Sequence, residues 1–140
     1  MKKIILTLSI LSLVFASDYL FLNTYSNITN TEILDQNDLE SIDILFEEEL
    51  SRYTFGNIIH SSKTCPDNEC ALEELNNSEH EFIVYTRIIK LGEKLRYSGT
   101  ILNNEGVVFT TKIIVTNATE MEEGVMRLVK SLALQENVDE

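Results

Sequence analysis

The stretch that decides the fold runs from His80 to Thr116 and reads HEFIVYTRIIKLGEKLRYSGTILNNEGVVFTTKIIVT. Its period is two. Phe82, Val84, Thr86 and Ile88 alternate with Ile83, Tyr85, Arg87 and Ile89, the pattern of a strand with two unlike faces. Gly92-Glu93 supplies a two-residue hairpin turn with glycine first, as a type II′ turn requires. That turn sets Ile88 opposite Tyr97 and Ile89 opposite Arg96. Asn104-Glu105-Gly106 reads as a three-residue loop that pairs Asn103 with Val107, Ile101 with Phe109 and Tyr97 with Ile113. The two turns agree. One face collects Phe82, Val84, Ile88, Leu95, Tyr97, Ile101, Val107, Phe109, Ile113 and Val115. The other collects Arg87, Arg96, Ser98, Thr100, Thr110 and Lys112, together with Ile83, Tyr85, Ile89, Val108 and Ile114. A slip of one residue would scramble both sets.

Working outward, Asp18–Leu22 reads as a first strand and Asn23–Thr31 as a polar loop. Asn37 or Asp38 opens a helix with Leu39, Ile42, Leu45, Phe46, Leu50 and Tyr53 at helical spacing, and Glu40, Asp43, Glu47 and Glu48 on its watered side. Phe55–Ser61 predicts a second strand. Asp67 caps a short helix to about Asn76, with Ala71, Leu72 and Leu75 inward. The last helix carries Met121, Val125, Leu128, Val129 and Leu132, and Thr119 with Glu122 forms a capping box at its start. Its acidic residues stand at the N-terminal end and Arg127 and Lys130 nearer the other end, which complements the helix dipole. Gln135–Glu140 reads as a frayed tail. The order is β-α-β-α-β-β-β-α. The class is α+β: a mixed sheet ending in an antiparallel three-stranded meander, with helices packed on one face.

The N-terminus fixes the compartment. Lys2 and Lys3 precede an apolar run from Ile4 to Ala16, and Val14-Phe15-Ala16 offers small residues at −3 and −1. This is a secretory signal peptide cleaved after about Ala16, too short to span a bilayer. Its very short charged segment points to a bacterium and so to the periplasm, with no stable membrane insertion after cleavage. Residues 17–140 then form one domain, best defined over 37–134. Losing two lysines takes the formal net charge from −12 to −14. That balance argues against nucleic acid as a partner and against binding an anionic membrane by bulk charge.

The chain has two cysteines, Cys65 and Cys70, and in an oxidising compartment such an isolated pair forms a disulfide. The spacing is C-x4-C, so a thioredoxin-like role has little support. His60 and His80 stand apart in sequence, and no metal site is expected from them. Glu47, Glu48 and Glu49 fan around their helix and do not converge on an ion. Asn27-Ile28-Thr29, Asn117-Ala118-Thr119 and the segment Glu74–Ser78 match glycosylation acceptor patterns, as Asn/Thr-rich loops do by chance. No Ser or Cys nucleophile has an identifiable His base, and no glycine-rich phosphate loop is present. The expectation is a non-enzymatic protein with no cofactor.

Several segments carry a resemblance. These are the helix and strand of Asp38–Ser61; the run Cys65-Pro66-Asp67-Asn68-Glu69-Cys70-Ala71-Leu72-Glu73-Glu74-Leu75; Thr86-Arg87-Ile88-Ile89-Lys90-Leu91-Gly92, where relatives often read G-x-I-x-K-x-G; and Asn104-Glu105-Gly106-Val107-Val108, a turn of the T-G-x-V kind. The chain resembles a group of bacterial envelope domains of anticodon-binding-domain-like fold. The group includes the N-terminal domain of TolB, the periplasmic domain of the curli channel subunit CsgG, and the flagellar assembly proteins FlgO and FlgT. The resemblance covers roughly Asp38–Leu134 and implies a fold, not a catalytic site; Thr86 stands where relatives often have Gly. It implies an envelope protein, or further copies of the chain, as partner. The candidate interaction face is Tyr85, Arg87, Arg96, Lys112 and Ile114, since cations and aromatics among exposed aliphatics suit a protein partner. The alternative is a redox-responsive or small-ligand-binding periplasmic module using the Cys65–Cys70 pair.

Overall fold

The computed structural model describes residues 18–54 and 56–138. The signal-peptide reading lies outside those residues, as does Phe55. Six strands form one sheet: β1 (Tyr19–Asn23), β2 (Tyr25–Ser26), β3 (Ile58–Thr64), β4 (Phe82–Leu91), β5 (Lys94–Asn103) and β6 (Gly106–Val115). Three α-helices pack on it: α1 (Gln36–Ser51), α2 (Asn68–Asn76) and α3 (Met121–Leu134). The strand order is β3-β1-β4-β5-β6, with β2 also paired to β4. The class is α+β with a mixed sheet, as expected. The first strand, β1, lies inside the sheet, parallel to β3 on one side and to β4 on the other.

The meander follows its turn residues. Ile88 faces Tyr97 and Ile89 faces Arg96. Gly92 has φ +61°, as the first position of a type II′ turn needs. Tyr97 faces Ile113 and Ile101 faces Phe109. The second hairpin departs from expectation only near its tip. Asn103 pairs with Gly106 instead of Val107, and the register shifts between Ile101 and Leu102. This bulge adds one residue to β6, which exchanges the faces of its first residues. Val107 is therefore exposed, while Val108 packs on the core.

Alternation along each strand sorts the sheet into two cores. Tyr19, Phe21, Val84, Ile88, Tyr97 and Ile113 meet α1 and α3 through Ile42, Phe46, Val125, Leu128 and Leu132. Leu20, Leu22, Ile83, Tyr85 and Leu102 point the other way and meet Ala71, Leu75 and Cys65 at α2. The helices therefore do not share one face, as the sequence reading had them. Strand β1 is apolar on both sides, so both faces need a cover. Close approach of α3 to the sheet relies on two glycines. A Cβ at Gly99 would stand 2.7 Å from Leu132 Cδ1, and one at Gly124 would stand 2.8 Å from Ile113 Cδ1.

The helix ends also differ in detail. The side chain of Asp35, not Asn37 or Asp38, caps α1, and Asp35 and Asp38 accept each other's backbone N–H in a capping box. Asp67 caps α2 as expected. The Thr119–Glu122 capping box does not form. Thr119 instead lies within a 3₁₀ turn at Ala118–Glu120, and Asn117 Oδ1 accepts from its backbone N–H at 3.0 Å. At the far end of α3 the chain turns back in a Schellman motif. Glu136 N–H donates to Ser131 O (3.1 Å) and Gln135 N–H to Leu132 O (3.3 Å). The tail is accordingly held as far as Val138, which packs on the core. Gln135 sits there at φ +53° and ψ +44°, a conformation that suits glycine. Gln135→Gly should raise stability in urea unfolding by about 0.5–1 kcal/mol, the left-handed strain less glycine's added freedom when unfolded. No gain would show that the motif carries no strain.

Candidate functional site

Helix α2 covers only part of the outer sheet face. Beside it, Arg87 on β4, Arg96 and Ser98 on β5, and Thr110, Lys112 and Ile114 on β6 share one parity. The pairings Arg87–Ser98, Ile89–Arg96, Arg96–Ile114 and Ser98–Lys112 place them on adjacent rungs. All but Ile114 line an open cavity of about 500 Å³, to which Thr111 and, from the tail, Asn137 and Val138 also contribute. Ile114 is 50% exposed and Lys112 is in water. Arg87 Nη1 donates to Pro66 O at 2.9 Å, which ties this arginine to the cysteine loop. Among the described residues, Arg96 and Lys112 form no ion pair.

Four of the five residues named for an interaction face therefore lie together on uncovered sheet. Tyr85 does not join them. It has the right parity but is 3% exposed beneath α2, where its hydroxyl donates to Asn68 Oδ1. Burial pushes its phenol up from the ordinary range, and the neighbouring Arg87 charge opposes that shift. Parity alone could not separate Tyr85 from Arg87, because it does not say where along a face a helix lies.

Cys65 and Cys70 form a disulfide with Cα atoms 5.5 Å apart. Cys65 is buried in the smaller core, so the bridge ties the end of β3 to the first turn of α2.

A second cleft, of about 610 Å³, was not foreseen. It opens between the first half of α1 and the carboxyl ends of β1 and β3, lined in part by Asn23, Tyr25, Glu40, Asp43, His60 and Thr64. Open sheets with parallel strands commonly bind ligands at this end. His60, which stands apart from His80 in sequence, meets side chains of β1 and α1. Its ring stacks on Phe21 with centroids 5.0 Å apart, its Nε2 meets Asn23 Oδ1, and its Nδ1 lies 3.7 Å from Glu47 Oε2.

Asp43 belongs to the interior and not to the solvated side of α1; it is 5% exposed. The backbone explains why. Between β1 and β2 the register against β4 changes, from Phe21–Val84 to Tyr25–Arg87, so one extra residue is inserted near Thr24. The Thr24 N–H donates to the Asp43 carboxylate, at 3.1 and 3.2 Å. The Thr24 hydroxyl donates to the same carboxylate and lies 2.7 Å from the Thr86 hydroxyl. Asp43 thus completes the hydrogen bonding of a bulged strand inside the core. Burial raises its pKa, while the Thr24 bonds and the nearby His60 lower it less. Buried Tyr97 points its phenol toward the same chain, and burial followed by the Asp43 charge pushes it well above the ordinary range. The sequence did hold a signal, since Leu39, Asp43, Phe46 and Leu50 fall on one helical stripe.

Glu49, also placed in water by its neighbours in sequence, is buried and meets Arg52 at 3.2 Å. Among the described residues no group of three or more His, Cys, Asp or Glu side chains is arranged to hold a metal ion. No helix among them is long and apolar enough to cross a membrane.

No family model matches the sequence, and no curated protein matches it. Solved structures do match in shape. PelC from Paraburkholderia phytofirmans, recorded as a dodecamer, superposes with a TM-score of 0.59 at 9% identity, over 86% of this chain and 89% of PelC. The C-terminal domain of LpoB from Salmonella enterica gives 0.52 at 11% identity, over 73% of this chain and 84% of that domain. TolB from Acinetobacter baumannii gives 0.53 at 12% identity, over 85% of this chain but only 28% of TolB. Likenesses this remote in sequence are likenesses of fold, and the fold of this chain is TolB-like and LpoB-like.

Proposed function

We propose that this chain is an exported, non-enzymatic protein of the bacterial cell envelope, a member of the wider TolB-like group, that works by binding another protein through the uncovered part of its outer sheet face. One observation carries the reading. Arg96 and Lys112 stand beside half-exposed Ile114 on a sheet surface that no helix among the described residues covers, and among those residues no carboxylate pairs with them. Arginine among exposed aliphatics suits a protein contact. The signal-like N-terminus and the Cys65–Cys70 bridge support an oxidising compartment outside the cytoplasm. The fold shared with TolB and LpoB supports an envelope role.

The test is site-specific photo-crosslinking in living cells. A crosslinker at Thr110 should give discrete adducts that disappear in the Arg96→Glu plus Lys112→Glu variant. Adducts no more abundant than those from exposed Glu122 on α3 would sink the proposal. The cleft beside His60 favours a second reading, a module for a small polar ligand, which predicts protection of His60 from chemical modification by that ligand.

A further inference from the structure

The partner of the basic face is a matter of chemistry, and the molecule carries a surface that fits it. On α1, Glu40, Ile44 and Glu48 follow one another at i, i+4 and i+8, so they form one ridge. Ile44 is 57% exposed, the most exposed large apolar side chain among the described residues. Glu40 and Glu48 flank it in water and form no ion pair there. The ridge thus presents an aliphatic group to solvent between two carboxylates. Across the molecule, Ile114 is half-exposed beside Arg96 and Lys112. The two patches have the same design with opposite charge: an isoleucine at the centre and unpaired charges around it.

Their placement decides the geometry of contact. The α1 ridge borders the cleft at β3, one edge of the sheet. The basic patch lies on β5 and β6, at the other edge and on the opposite face. A two-fold contact would need ridge and patch on one side of the molecule, each meeting its opposite reciprocally, and on opposite faces and edges they cannot do so. Translation along the strand order brings ridge to patch. We infer that this chain self-associates head to tail, the acidic α1 ridge of one copy docking on the basic β5–β6 face of the next. This rests on the reading of that face as a protein-binding surface, and adds that the bound protein is a second copy. Contacts of this heterologous kind propagate, closing into a ring or running on as a filament. Because the net charge is strongly negative, distant groups of two copies repel. At about 0.15 M salt that repulsion is screened beyond roughly 8 Å, whereas charges in contact still attract.

The experiment is sedimentation velocity at 0.15 M salt, on protein recovered by export of the full chain. The wild type should sediment as assemblies larger than a monomer. The Arg96→Glu plus Lys112→Glu variant, acidic on both surfaces, and the Glu40→Lys plus Glu48→Lys variant, basic on both, should each be monomeric, weakened at least about tenfold by like-charge contact. Mixed one to one, they should reassemble, because every contact between unlike copies is again complementary. Circular dichroism checks that both remain folded, and the milder Arg96→Gln plus Lys112→Gln and Ile44→Ser variants should weaken assembly in part. A monomeric wild type, assembly unchanged in either reversed variant, or a mixture that stays monomeric would overturn self-association. A monomeric wild type that still yields crosslinks from Thr110 to another protein would leave the binding face standing and remove only the second copy.

Discussion

Phe46→Ala should lower the free energy of unfolding by about 3–5 kcal/mol. Phe46 is fully buried and stacks on Phe21 with ring centroids 4.8 Å apart and planes 14° from parallel. It joins α1 to the strand that both edges of the parallel half depend on. Removing it takes away the transfer free energy of the ring, leaves a cavity, and breaks an aromatic pair that adds about 0.5–1.5 kcal/mol beyond its area. Few other α1 side chains can compensate, because its buried apolar set is otherwise Ile42 and Leu50. Urea unfolding followed by circular dichroism measures the loss. A change below about 1 kcal/mol would mean that α1 is not seated by this contact.

The second large effect concerns Asp43. Asp43→Ala leaves the Thr24 N–H without its acceptor inside the protein and its hydroxyl with Thr86 alone, which should cost about 2–3 kcal/mol. Asp43→Asn keeps an acceptor oxygen and removes the charge, so it should cost much less near neutral pH. The pH dependence distinguishes the two causes. Burial raises the folded pKa of Asp43 above the ordinary 3.8, so between those values the folded chain holds more of the proton than the unfolded chain. Stability from this group therefore falls as pH rises through that window, and is greatest below it. The wild type minus Asp43→Asn difference in unfolding free energy should shift against the wild type as pH rises from about 4 toward neutrality. Parallel curves would refute the buried-charge account.

The hairpin half of the fold was legible for a local reason. Gly92 and Gly106 mark two turns, and alternation then fixes the rungs away from the bulged second tip, including those that bring Arg87, Arg96 and Lys112 together. The parallel half offered no such rule. Strand β1 meets β3 and β4 across long connections, with no turn to set register, and the bulge at Thr24 has no marker in its own residues. Asp43 was misplaced for the same reason. Its charge argued for water, and only the orphaned N–H of a distant strand makes the interior favourable. Tyr85 was misjudged because α2 had been assigned to the wrong side of the sheet, although Ile83, Tyr85 and Leu102 already formed an apolar cluster in need of a cover.

The inner position of β1 also sets a direction in time. Its neighbours are β3 and β4, yet it precedes both along the chain. A chain that leaves the ribosome or a translocation pore amino end first presents Tyr19–Leu22 long before Phe82–Val84 can meet them. These residues are apolar on both faces, so they must wait exposed or held by a chaperone. The hairpins β4–β5 and β5–β6 need only short loops and can close at once. The last strands synthesised are thus the template, and the first is the piece that slots into it: the sheet is completed against the order in which its strands are made.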